Sequence, residues 1–168
     1  MEILTIDNKK NLKFLKRLVP ETKLESLDKK ELRELIRSMR ALMKKYDGVG
    51  LSANQAGLDL RLFVAEVPIG KNGSPKFYAI LNPEILRASK ESALFEEGCL
   101  SIPETFGSVE RSRKIILTGF DQYGKKVRIK AWGFLARVFQ HEVDHLNGVL
   151  FIDRTKNAKR IVKTNLSS

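Results

Sequence analysis

A chain of 168 residues with 31 Lys and Arg against 20 Asp and Glu, net +11, is long enough to bury a real core in one domain, and its charge favours a polyanionic neighbourhood without naming a chemistry. Its one cysteine, Cys99, excludes an internal disulfide and points to a reducing compartment. No apolar run reaches the length of a membrane span or a secretory leader, so the expectation is a cytoplasmic protein, with an organellar source left open.

Residues 1 to 26, with Pro20 and mixed charge, read as an irregular lead-in. Leu32, Leu35, Ile36, Met39, Leu42, Met43 and Tyr46 then recur at helical spacing behind Asp28, which predicts an amphipathic helix over residues 28 to 46 whose stripe is core. Asp47-Gly48-Val49-Gly50 breaks that helix and opens GVGLSANQAG. This stretch lacks GxGxxG spacing and no Lys-Ser/Thr follows, so it is not a phosphate cradle; its glycines fit a place where another backbone passes close by.

Arg61 to Val67 and Phe77 to Leu81 read as strands around a turn at Gly70 to Pro75, with Asn82-Pro83 closing the second. Glu84 to Phe95 is mixed, with room for one or two short strands, and the segment around Cys99 is turn-like. Lys114 to Phe120 and Lys126 to Trp132 form a hairpin about Asp121-Gln122-Tyr123-Gly124, its second arm alternating Val127, Ile129 and Ala131. Without repeats or linkers, this order predicts an α+β fold: mainly antiparallel strands packed around a C-terminal metal-binding helix, with an N-terminal amphipathic helix. Residues 1 to 153 form one catalytic domain. Residues 154 to 168 form a short basic tail in which Arg154, Lys156, Lys159, Arg160 and Lys163 meet no acid after Asp153; it reads as solvated, with a nucleic-acid-facing role as the alternative.

The segment Gly133 to Asn147, GFLARVFQHEVDHLN, holds both histidines of the chain. Phe134, Val138, His141 and His145 share a helical face that Gly133 starts and Asn147-Gly148 ends. One turn apart on that face, His141 and His145 can offer ring nitrogens to a single metal ion. Glu142 between them is placed to take a proton from water on that ion. Histidines that merely complete a packed face are the plain alternative, but two falling four apart with Glu between them favour metal chemistry.

A catalytic metal needs three protein ligands and an open position. Downstream of His145 the only acid is Asp153, and the extended HExxHxxGxxH pattern fails at its last place, where Phe151 stands. The third ligand must therefore come from upstream, and Cys99, between Gly98 and Leu100, is the strongest candidate, a packed small residue being the alternative. A metallopeptidase of another specificity and a noncatalytic, metal-stabilised RNA-binding protein are the competing classes.

Three stretches in order, GVGLSANQ (Gly48 to Gln55), EGCLS (Glu97 to Ser101) and QHEVDH (Gln140 to His145), running on to NGVLFID, resemble peptide deformylase over about residues 45 to 153. Ser52 stands where the family usually has alanine, and the lead-in lacks the usual proline-containing start. The resemblance implies one divalent metal, most often iron(II) with nickel, cobalt or zinc as replacements, held by Cys99, His141 and His145. It implies hydrolysis of the formyl group from the N-terminal methionine of new polypeptides, with Glu142 carrying the proton and the Gln55 side chain and Leu100 N–H stabilising the oxyanion. By the same resemblance Val49, Gly50 and Gly98 offer backbone to an extended peptide. Phe95, Phe134 and Val138 surround the methionine, with Glu97 and Arg137 near the rim. Formyl-Met nascent peptides are the expected partners, with the ribosome met through a basic surface or tail. A monomer without sequence-specific nucleic-acid binding completes the expectation.

Overall fold

Strands of alternating apolar and charged residues build two antiparallel sheets in the computed structural model, which describes residues 1–69, 73–155 and 157–160. Strands β1 (Gly50–Ser52), β2 (Leu62–Pro68), β3 (Pro75–Ala88), β6 (Lys114–Phe120) and β7 (Lys126–Trp132) form a five-stranded sheet in the order β1-β2-β3-β6-β7. Strands β4 (Ser92–Cys99), β5 (Ile102–Ser112) and β8 (Lys159–Arg160) form a second sheet, ordered β4-β5-β8. The helices are α1 (Lys9–Leu15), α2 (Lys29–Lys45) and α3 (Gly133–Leu146). The α+β expectation therefore holds.

Helix α3 covers one face of the larger sheet, burying Val138, Phe139, Val143 and Leu146 against Phe63, Ala65, Ile80 and Leu117. The Phe139 ring lies 5.3 Å from that of Phe63 and meets Tyr78 edge-on at 5.1 Å. On the opposite face α2 lays Ile36, Met39 and Met43 over Leu51, Leu62 and Val64. Its start is the one predicted: the Asp28 carboxylate accepts from the N–H groups of Lys30 and Glu31, both at 2.8 Å. The stripe ends one residue early, because Tyr46 lies past the last helical residue and is 47% exposed.

Two readings are corrected. The lead-in is ordered by tertiary bonds: Leu4 N–H donates to Gln55 O at 2.7 Å, Ile6 N–H donates to Ser101 O at 3.0 Å, and α1 follows behind an Asn8 cap. Strand β3 does not stop at Asn82-Pro83 but passes through it by a bulge between Leu81 and Glu84. Asn82 takes a positive φ of 47°, a conformation its short side chain tolerates, and its amide brackets Thr22 with two 2.9 Å bonds. The turn expected around Cys99 is present at Leu100 and Ser101, after which the chain runs on as the long strand β5, paired along its length with β4. Of the turn expected at Gly70 to Pro75, residues 70–72 lie outside the described residues, as do 156 and 161–168 of the tail. Arg154, though exposed, donates from Nε to Asp144 at 2.5 Å.

Candidate active site

The three motifs converge because β4 and α3 meet at their ends beside the turn that follows β1. Strand β4 finishes at Cys99 with a register shift after Gly98, and α3 lifts His141 and His145 toward that end. Cys99 Sγ lies 3.2 Å from His145 Nε2, which lies 3.2 Å from His141 Nε2, and the three donor atoms fall within 4.8 Å of one another. A thiolate and two imidazoles suit late divalent ions without choosing among them.

The electrostatics also fit a cation. Burial and the neighbouring His141 push the pKa of His145 well below the usual imidazole value, leaving it a neutral base. Burial opposes protonation of His141, but Cys99 and Glu97 outweigh it and push the pKa up to about 10. The Cys99 sulfur and the Glu97 carboxylate thus favour positive charge at this place, and a metal ion bound there would supply it.

Glu97, expected near the rim, is buried beside His141 in the cleft wall. Its Oε2 lies 3.0 Å from His141 Nδ1, which fixes the ring with Nε2 free to ligate. Arg111 donates to both carboxylate oxygens at 2.9 Å, and Arg137 adds a third charged donor. Burial pushes the Glu97 carboxyl up, yet Arg111 and His141 hold it well below the usual carboxylate range. Arg111 also pairs with Asp144, which Arg154 holds from the other side. No local pattern announces Arg111, because its partners are brought to it only by the fold.

Glu142 is 2% exposed, and its Oε2 has no hydrogen-bond partner. Burial raises its carboxyl to about 7, against the opposing charge of His141. Gly50 gives it room, because a Cβ there would push the Glu142 carboxylate aside. The expected close approach is thus to a side chain. Gln55 turns its Nε2 toward Cys99 Sγ at 3.4 Å and Ser101 Oγ at 3.1 Å, while its Oε1 accepts from Ser52 N–H at 3.0 Å and Ser52 Oγ at 2.9 Å. The Ser52 hydroxyl, unforeseen as a participant, therefore helps to aim Gln55.

A cleft of about 620 Å³ opens onto these groups. Val49, Gly50, Gly98, Leu100, Phe134, Arg137 and Val138 line it together with Gln55, Glu97, Cys99, His141 and Glu142. His145 lies behind this wall. Phe95 is not part of the lining: it is 62% exposed, with the Arg137 guanidinium 5.2 Å from its ring. Tyr46 and Phe106 join the lining without having been anticipated.

Residues 1–161 match the family model described as polypeptide deformylase. The chain belongs to that family. It is 46% identical over 147 residues to a peptide deformylase of Thermotoga neapolitana, covering 88% of this chain and 84% of that one. The crystal structure of peptide deformylase from Thermotoga maritima superposes with a TM-score of 0.81 at 38% identity, over 93% and 97% of the two chains. A Met-Ala-Ser-bound class I type b peptide deformylase from Acinetobacter baumannii gives 0.81 at 32% identity, over 92% and 97%. The deformylase is thus a metal-dependent hydrolase that removes the N-formyl group from new polypeptides. Among the described residues, no helix is long and apolar enough to cross a membrane.

Proposed function

We propose that this deformylase works with iron(II) held by Cys99, His141 and His145, with residues 1–153 as its catalytic domain and the basic residues 154–168 as a tail. The convergence of three donor atoms within 4.8 Å, beside a buried and unpartnered carboxylate oxygen, carries the reading. When bound, the ion supplies Lewis acidity that makes water nucleophilic near neutral pH. Glu142 Oε2 takes the proton of the attacking water and passes it to the leaving amine nitrogen. The Gln55 amide and the Leu100 N–H donate to the formyl oxygen as it gains charge, which matters because preplaced donors need no reorganisation. Val49, Gly50 and Gly98 present backbone to the formyl-Met peptide as to an added strand, with Phe134 and Val138 beside the methionine side chain. Arg137 and Glu97 act from the cleft wall, holding His141.

The enzyme acts as a cytoplasmic monomer where chains leave the ribosome. Formate release from formyl-Met-Ala-Ser, measured with anaerobically purified protein alongside metal analysis, tests this. Activity that tracks iron content is the expected result; full activity in iron-free protein would overturn the metal assignment, and no formate from folded, iron-loaded protein would overturn the reaction.

A further inference from the structure

The larger sheet is covered unequally. Helix α3 lies across one face, while on the other α2 packs chiefly over β1 and β2, its apolar cluster reaching β3 and, at Phe120, the end of β6. Among the described residues, no helix covers the outward face of β6 and β7. Strand period puts Lys126, Arg128, Lys130 and Trp132 of β7 on that face, opposite Phe120, Thr118, Ile116 and Lys114 of β6. Arg87 joins from β3, opposite Ile116. The lysines, Arg87 and Arg128 are exposed, and none has an ion-pair partner among the described residues. Glu84, opposite Thr118, is the acid of this face.

The cations form a row rather than a scatter. Along β7 they recur about 7 Å apart, and Lys114 stands beside the end of the row. That end carries Trp132, 67% exposed, and a depression shared by Arg87, Lys114, Lys130 and Trp132. Lysines on an edge strand also discourage strand-to-strand aggregation. That role needs neither Lys114 and Arg87 on inner strands nor an exposed indole, whereas a polyanion whose bases can stack needs all of them.

We propose that the outward face of β6 and β7 is a docking surface for single-stranded RNA, with Lys114, Lys126, Arg128 and Lys130 on successive phosphates and Trp132 stacking on a base. Recognition is of backbone and stacking, without sequence readout. The face is separate from the catalytic cleft, so a failed test here leaves the deformylase reading untouched.

Trp132 is the chain's one tryptophan, so its fluorescence reports this face alone. Titration of the metal-loaded enzyme with a short oligouridylate should quench that fluorescence, with the logarithm of affinity falling against log salt with a slope of about −3 for four phosphate contacts. The double variant Arg128→Ala, Lys130→Ala should bind roughly tenfold or more weakly and lose about 1.4 from the slope, while releasing formate from a formylated tripeptide like the parent. Unchanged binding and slope in that variant would overturn the proposal. So would inorganic polyphosphate binding as well as RNA with Trp132 unquenched by RNA, which would mark a simple cation patch. Binding to phosphatidylglycerol vesicles without binding to the oligouridylate would assign the face to a membrane surface and overturn it too.

Discussion

The Glu97 carboxylate lies 3.0 Å from His141 Nδ1 while Arg111 and Arg137 grip its two oxygens, so one buried acid orients the His141 ring and compensates two buried cations. These roles separate by substitution. Glu97→Gln keeps the size but loses charge and one acceptor, and should speed metal loss to a chelator by roughly 10–100-fold, the usual cost of a ligand's supporting bond. Glu97→Ala strands the guanidinium groups and should also cost roughly 3–5 kcal/mol in denaturant unfolding. Metal release at the parent rate in the Gln variant would show that His141 needs no such anchor.

A Cβ on Gly50 would crowd the Glu142 carboxylate, which would have to shift to make room. Gly50→Ala should therefore displace the carboxylate and lower kcat by roughly 10²–10⁴, as Glu142→Gln should, since both remove a positioned proton carrier. Metal content should stay as in the parent in both variants. If Gly50→Ala kept kcat while Glu142→Gln lost it, the carboxylate would have shifted at no cost; if both kept kcat, Glu142 would not be the carrier.

What the sequence made legible follows from where the information lies. Helix α2, the β6–β7 hairpin and α3 carry their period in their own side chains, and the histidine pair carries its geometry in its spacing. The order of the lead-in comes instead from backbone bonds to Gln55 and Ser101, which no local pattern records. Pro83 looked like a strand end because its bulge and the Thr22 bracket on Asn82 are supplied by distant chain. Phe95 and Glu97 share a face of β4, but two residues of strand carry Phe95 about 7 Å farther along, beyond Arg137 and outside the cleft. The Glu97–Arg111–Asp144 chain joins residues whose meeting is decided by folding alone.

The Ser52 hydroxyl supplies one of two bonds to Gln55 Oε1. Ser52→Ala leaves the backbone bond in place, so kcat/KM should fall no more than about tenfold, in keeping with about 1 kcal/mol for one hydrogen bond. Ser52→Val adds bulk at a fully buried position and should lower stability as well. An alanine variant with kcat/KM reduced several hundredfold would mean that the hydroxyl does more than aim Gln55.

Far from the site, Glu66 ties α2 to β2 by accepting from Arg40 Nε at 2.6 Å and Lys44 Nζ at 2.9 Å. Arg40 and Lys44 hold its carboxyl at about 2, against an ordinary 4.5. Because the folded value is the depressed one, the unfolded chain takes up the proton first as pH falls. The stabilisation is fully present above about pH 4.5 and is lost progressively down to about pH 2. Glu66→Gln should accordingly be less stable than the parent at neutral pH, with the difference narrowing between pH 4.5 and 2 in urea unfolding. A difference that stayed constant across that window would mean that the loss in the variant comes from packing and not from the carboxylate's charge.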